Sequence, residues 1–273
     1  EFNKTVGKEK GIIVEGSGQG TISDLERNVL DSINGKAGAA DIPNIFAAYG
    51  DTAYQVDKLG YAVDLNKYFS KDELSKYVDG YLEEGHFSSK DTLKIFPVAK
   101  SVELFMLNKT DWEKFANATG ASTNDLNTIE GVTKVAEQYY NWTDSLTAAP
   151  NDGKAFFGRD AFANYMLVGY RQLATDIFSK KDNKIVLNFE ADIAKKLWDN
   201  YYVPYISGYF SSSGKFRSDD IKIGNILACV SSSSSVTYFP KEVILNDEES
   251  HSIELETFAC PKFKDGKDYV VQQ

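Results

Sequence analysis

Apolar residues in this chain alternate between two spacings, and the alternation predicts strands joined by helices. Residues 11–15 (GIIVE) form a short β-branched run followed by a glycine-rich turn, Gly16-Ser17-Gly18-Gln19-Gly20-Thr21, as a strand and its exit would. Between residues 22 and 33 the apolar positions fall at 22, 25, 29, 30 and 33, the spacing of one helix face. Asp24 and Glu26 lie near its start, where a helix dipole favours acids. Residues 42–48 predict the next strand, Tyr49-Gly50-Asp51 its exit, and 52–59 a short helix. An extended stretch at 63–65 and a helix over 71–84 complete a first strand-and-helix layer.

The pattern then repeats with different lengths. Strand-like runs at 94–97 and 103–107 precede helices near 110–119 and 128–140. Phe156 to Asp160 reads as a strand and exit loop, and 164–178 and 190–201 as amphipathic helices. Residues 224–230 predict a strand running into five consecutive serines, 231–235, and 253–260 a further strand closed by Pro261. Such alternation defines an α/β protein with a mostly parallel sheet. No repeat at a solenoid period is present.

Composition narrows the function. The 273 residues suit one large or two modest domains, and 42% hydrophobic content supplies a core. Sixteen tyrosines favour a polar ligand site, since each offers an apolar face and a hydroxyl. A net charge of −10 repels phosphate backbones and argues against nucleic acid. Two cysteines, Cys229 and Cys260, are too few for a disulfide scaffold. No apolar stretch approaches membrane-spanning length, and no signal peptide is visible. Both ends read as cut, so truncation at each terminus is expected.

Chemical motifs are sparse. The turn at 16–20 is not GxGxxG and lacks a following GK[ST]. It is either a flexible turn or a ligand-lining loop in which Ser17, Gly18 and backbone amides lie near a helix N-terminus. The serine run follows an apolar strand directly, which suits hydroxyls and amides facing a sugar or an anion. His86 and His251 lie in polar loops. GxSxG and HExxH are absent, and no metal or cofactor is expected. Asp51, Glu103 and Asp160 sit beside strand ends, the placement a glycosidase would use, but forty acids make three such placements ordinary.

Several segments in order resemble the family 1 extracellular solute-binding proteins of bacterial ABC importers, the group that includes maltose-binding protein. They are Phe96-Pro97-Val98-Ala99-Lys100-Ser101-Val102-Glu103 through Asn108-Lys109, Asp41-Ile42-Pro43, Gly60 to Leu65, Thr128-Ile129-Glu130 to Ala136, Gly224 to Val230, and Glu256 to Gly266. The resemblance implies two lobes, 1–99 with 260–273 and 100–259, each built on a mixed, mostly parallel sheet. It implies a small polar solute, carbohydrate first, bound in the interlobe cleft by hinge closure, with no bond made or broken. An anionic solute such as a sugar phosphate, phosphonate or organic acid is the rival, and a carbohydrate-active enzyme a more distant one. The implied partner is a membrane permease, the implied state a monomer, and the implied place extracellular, lipid-anchored to the outer face of the cytoplasmic membrane, or periplasmic. Carried over by position, Tyr49 and Asp51 fall on a ligand loop of the first lobe, Lys100 and Ser101 at the first hinge, and Arg159 and Asp160 on a second-lobe loop. Ser232, Ser233 and Ser234 stand where maltose binders place a stacking Trp. That departure leaves ring stacking to Tyr49 or Tyr165.

Overall fold

The computed structural model describes residues 1–87, 89–173, 175–182 and 184–272. The chain divides into two compact units, Glu1–Lys100 and Ser101–Gln273.

The first unit is helical. Its helices are α1 (Val6–Lys10), α2 (Ile22–Ile33), α3 (Gly50–Lys58), α4 (Lys71–Leu74) and α5 (Asp79–Glu83). Val29, Ala53, Val56, Leu82 and Leu93 are its buried apolar residues. Asp64 organises the loops beneath them, accepting from the amides of Asn66 and Leu93, each at 3.1 Å. The expected helix over 71–84 is interrupted. A Ser70–Glu73 capping box starts α4, and Val78, in an extended conformation, separates it from α5. The strands expected at 11–15, 42–48 and 94–97 do not form, and no strand is present among the described residues of this unit. A strand exists only through a ladder partner, and other groups satisfy the first of these segments: the Asn3 side chain bonds both the amide and the carbonyl of Val14, each at 2.8 Å. Ile13 and Ile45 are consequently 79% and 89% exposed.

The second unit is built on a four-stranded sheet. Its strands are β1 (Glu103–Asn108), β2 (Phe157–Arg159), β5 (Ala228–Ser232) and β8 (Leu255–Ala259), in the order β2-β5-β1-β8. Between β1 and β2 lie α6 (Lys109–Thr119) and α7 (Ile129–Asp144). Between β2 and β5 lie α8 (Phe162–Gln172), the ribbon β3 (Phe178–Lys181) and β4 (Lys184–Leu187), α9 (Ala191–Asp199), α10 (Tyr202–Ile206) and α11 (Arg217–Lys222). A second ribbon, β6 (Glu242–Ile244) and β7 (Ser250–Ser252), precedes β8.

The α/β class and the mixed sheet agree with expectation, but parallel pairing does not dominate. Only β2 and β5 are parallel; β1 is antiparallel to both β5 and β8. Parallel neighbours need a long crossover, and α8–α11 provide one between β2 and β5. Strand β1 runs the other way between β5 and β8. The helix expected over 164–178 ends at Gln172, whose buried side chain accepts from the Phe263 amide at 3.0 Å and donates to the Tyr269 carbonyl at 3.1 Å. Residues 260–272 thus pack within the second unit.

Alternation along the strands builds two cores. Phe105, Leu107, Phe157, Ala228 and Val230 point to one face, where α6 and α7 add Trp112, Phe115, Val132, Val135, Ala136 and Tyr139. Met106 and Cys229 point to the other, against Ile221, Phe239, Val243 and Ile253. On the first face Phe115 packs edge-to-face against Tyr139 at 5.3 Å and against Trp112 at 5.5 Å, while Phe105 and Phe157 stack at 5.7 Å. Both cysteines are free. Among the described residues no helix is long and apolar enough to cross a membrane.

Strand β1 passes into α6 through a polar cap. Asn108 accepts from the Asp111 amide at 3.1 Å and donates to Asp111 Oδ2 at 2.7 Å. Lys114 donates to Asp111 at 2.7 Å, and His251 Nε2 lies 2.9 Å from both its oxygens. Burial opposes ionisation of Asp111, but the hydrogen bonds from Lys114, His251 and Asn108 together hold its carboxyl below the usual range. A carboxylate with a depressed folded pKa stabilises the fold above its unfolded pKa, and that contribution is lost as pH falls through the folded value. Asp111→Asn is therefore expected to cost about 1–2 kcal/mol at neutral pH. The gap to the native protein should close on acidification below the ordinary aspartate range. Urea unfolding at neutral and acid pH measures this, and a gap independent of pH contradicts it.

Candidate functional site

One end of the four-stranded sheet gathers most of the polar candidates. The carboxyl ends of parallel strands β2 and β5 meet there, with the start of β1 beside them. In α/β sheets this is where ligands bind. Glu103 is opposite Ser232, and Arg159 opposite Val230. The alternation that sorts the cores sorts these residues too. Glu103, Arg159 and Ser232 point to the α6–α7 face, and Asp160 and Ser231 to the other.

On the first face Arg159 Nη2 forms a short ion pair with Glu103 Oε2, both side chains buried. Asn164 Nδ2 donates to the second Glu103 oxygen at 3.0 Å, and Arg159 Nε donates to the Ala161 carbonyl at 3.3 Å. The guanidinium also lies 5.9 Å from the Tyr165 ring. Tyr165 is buried, and its hydroxyl donates to the Leu197 carbonyl at 2.9 Å. A recess of ≈ 250 Å³, counting solvent at its mouth, is lined by Glu103, Arg159, Tyr165, Gln172, Cys260 and Pro261. Burial pushes the Cys260 thiol up to about 12, with Arg159 opposing and Glu103 adding to the shift.

On the second face Asp160 is the hub. Its Oδ1 accepts from the Arg217 amide at 2.9 Å and its Oδ2 from Ser231 Oγ at 2.5 Å. Ser235 Oγ is 2.8 Å from Ser231 Oγ. Because the Ser231 proton goes to Asp160, Ser235 is the donor in that contact. Buried Arg217 pairs with Asp220 at 2.6 Å through Nη1 and donates to the Gly214 carbonyl through Nη2. Its Nε lies 3.6 Å from Asp160 Oδ1 and has no hydrogen-bond partner.

The serine run ends β5 and enters the 3₁₀ turn Ser233–Tyr238, which Ser232 caps by accepting from the Ser234 amide at 3.4 Å. Ser233 is tied twice to Val102: its amide donates to the Val102 carbonyl at 2.7 Å, and its Oγ accepts from the Val102 amide at 3.2 Å. Ser101 is half-buried just ahead of this clamp, Ser232 is half-buried and Ser234 exposed. Arg159, Asp160 and Ser231–Ser234 thus share one end of the sheet, with Tyr165 in the interior behind Arg159.

The first unit holds the remaining candidates. Lys100 forms a short ion pair with Glu84, and burial pushes its ammonium down. A Cβ on Gly50 would stand 3.4 Å from Glu84 Oε1, so this carboxylate reaches the N-terminal turn of α3. Exposed Tyr49 is the residue before that helix, and Asp51 accepts from the Thr52 amide at 2.8 Å. Lys100, Glu84 and the 49–51 turn therefore neighbour one another. Ser17 and Gly18 are exposed, Ser17 accepting from Gln19 at 3.1 Å. The N-terminus of α2 beyond them is closed by a Thr21–Asp24 capping box.

Sequence reasoning missed Glu84, Asn164, Arg217 and Asp220. Only the last two carried a local signal, an Arg and an Asp three apart on one helix face.

With this geometry described, the family can be stated. The profile of the family described as bacterial extracellular solute-binding protein matches residues 1–271, and the chain belongs to that family. No curated protein matches it in sequence. Among solved structures it resembles UgpB from Mycobacterium tuberculosis in complex with glycerophosphocholine, with TM-score 0.74, 13% identity, 99% of this chain covered and 65% of that one. It also resembles the GacH receptor of Streptomyces glaucescens, solved unliganded and with acarbose, with TM-score 0.71, 10% identity and coverage of 99% and 64%. A third is the cyclic α-maltosyl-1,6-maltose binding protein from Arthrobacter globiformis, with TM-score 0.69, 16% identity and coverage of 98% and 63%. At these identities the likeness is one of fold. The chain spans just under two thirds of the length of these structures.

The buried pair makes a sharp stability prediction. Glu103→Ala strands the Arg159 charge and is expected to cost about 3–5 kcal/mol. Glu103→Leu combined with Arg159→Met should cost much less, because no unpaired charge remains. Urea unfolding of the single and double variants reads the difference, and a double variant as damaged as the single would refute charge compensation as the role of the pair.

Proposed function

We propose that this chain is the solute-binding receptor of an ABC importer and that it captures a small neutral polyol, a carbohydrate, by hinge closure for delivery to a membrane permease. It acts as a non-catalytic monomer, held by a lipid anchor at the outer face of the cytoplasmic membrane or free in the periplasm. Family membership supports the receptor class.

The observation that carries the choice of solute is the state of the cations at this end of the sheet. Arg159 is paired with Glu103, Arg217 with Asp220, and Asp160 adds a further negative charge. An anion arriving there finds both guanidinium groups occupied and an acid facing it. Sugar hydroxyls find Asp160, Ser232 and Ser234, which accept and donate in the pattern a polyol presents. Tyr49, exposed in the first unit, offers a ring face for stacking. Ser17, Gly18, Asp51, Lys100 and Ser101 complete the proposed ligand set.

The anionic solute remains a second reading on one observation, the buried Arg217 Nε without a hydrogen-bond partner. UgpB, whose complex holds glycerophosphocholine, has the same fold.

A thermal-shift series separates the readings. At a hundredfold excess over Kd a ligand stabilises the folded state by ~2.7 kcal/mol, a rise of several degrees. Malto-oligosaccharides are expected to raise Tm, while sugar phosphates, glycerophosphocholine and organic acids leave it unchanged. Asp160→Ala should weaken sugar binding about ten- to hundredfold, the worth of hydrogen bonds to a charged group. A shift with phosphates alone transfers the proposal to the anionic reading. Turnover of the sugar overturns the receptor itself.

A further inference from the structure

The ribbon of β3 and β4 stands apart from the polar site. Every described residue of both strands is exposed. The register pairs Phe178 with Leu187 and Lys180 with Ile185. Side chains alternate along each strand, so Phe178, Leu187, Ile185 and Lys180 share one face. Phe178 is 53% exposed, Leu187 57% and Ile185 73%, and Phe189 just beyond the ribbon is 66% exposed. Water is a poor solvent for four such side chains in twelve residues, and an exposed apolar cluster of this kind marks an interaction surface. An isolated two-stranded ribbon is also only marginally stable in water. Its base is held by Asn188, whose amide donates to the Ile177 carbonyl and whose side chain donates to the Asp176 carbonyl, each at 2.8 Å.

The charge identifies the partner. The chain carries −10, yet residues 178–189 hold Lys180, Lys181 and Lys184 against Asp182 alone. We infer that this ribbon docks on an anionic phospholipid surface, its apolar face entering the headgroup boundary with Lys180 beside it, while Lys181 and Lys184, a cross-strand pair on the opposite face, reach lipid phosphates with their long side chains. Basic residues beside apolar and aromatic ones are the composition of an interfacial anchor. A protein strand added along the ribbon is a poorer occupant, because lysines on exposed strands oppose edge pairing. The ribbon would hold the receptor close to the membrane independently of the solute site.

Co-sedimentation of the full chain with vesicles tests the inference. Binding is expected to vesicles of phosphatidylcholine and phosphatidylglycerol in equal amounts, to fall at high salt, and to be absent with phosphatidylcholine alone. Lys180→Gln, Lys181→Gln and Lys184→Gln together should weaken partitioning about tenfold or more. Ile185→Ser with Leu187→Ser should weaken it at both salt concentrations. Both variants should keep the native Tm and the native response to sugar, which separates failure here from failure of the receptor reading. No binding to the anionic vesicles overturns the proposal. So does concentration-dependent dimerisation abolished by Ile185→Ser with Leu187→Ser, since the face then belongs to a second copy.

Discussion

A carboxylate taken out of water must meet a cation or take up a proton. Glu103 is so placed, at the start of the central strand β1 with its side chain turned into the α6–α7 face. Arg159 compensates it from the far side of β5, and Asn164 binds the oxygen that Arg159 leaves free. Two segments distant in sequence are thereby fixed to one point: β1, and the stretch from the end of β2 into α8. Such pairs add little net stability over apolar replacements, but they penalise misplacement heavily. A one-residue slip of β2 would turn Arg159 to the opposite face and strand two buried charges. The same slip would turn Asp160 away from Ser231, so the ion pair on one face sets the register of the hydroxyl network on the other.

The two networks have different characters. The Glu103 side is enclosed and its groups are mutually satisfied. The Asp160 side is built from short hydroxyl side chains at the rim, joined in the Asp160–Ser231–Ser235 chain of bonds. The double tie between Ser233 and Val102 adds a mechanical element. It joins the segment entering β1 to the end of β5.

What the sequence made legible follows from the range of the forces involved. Helices with a local cap and a clear apolar face were readable: α2 behind Thr21, and α9, predicted within a residue at its start. Strand β1 and the serine-ended β5 were readable because alternation and burial coincide. The strands predicted in the first unit failed because β-branched composition describes a surface that suits pairing, while the partner is a property of the tertiary structure. The ribbons β3–β4 and β6–β7 were missed for the reverse reason; strands of three or four residues are too short to show a period of their own. At the sheet end, Asp160 and the serines were singled out by their place at strand ends, and Arg159 by the family resemblance. Glu84 and Asn164 were not, since each acts by reaching a residue far away in sequence.

The two thiols turn this architecture into an instrument. Cys229 lies in the core against Met106 and Ile221, and its thiol is pushed well above its usual range by burial, with Asp160 adding to the effect and Arg217 opposing it. Cys260 sits beside the Glu103–Arg159 pair, its thiol likewise raised. Thiol reagents attack the thiolate, so the folded state disfavours reaction at either sulfur. Each becomes a chemical clock for a different opening, one for the β5 core and one for the edge of β8, and the native sequence carries both labels without any substitution.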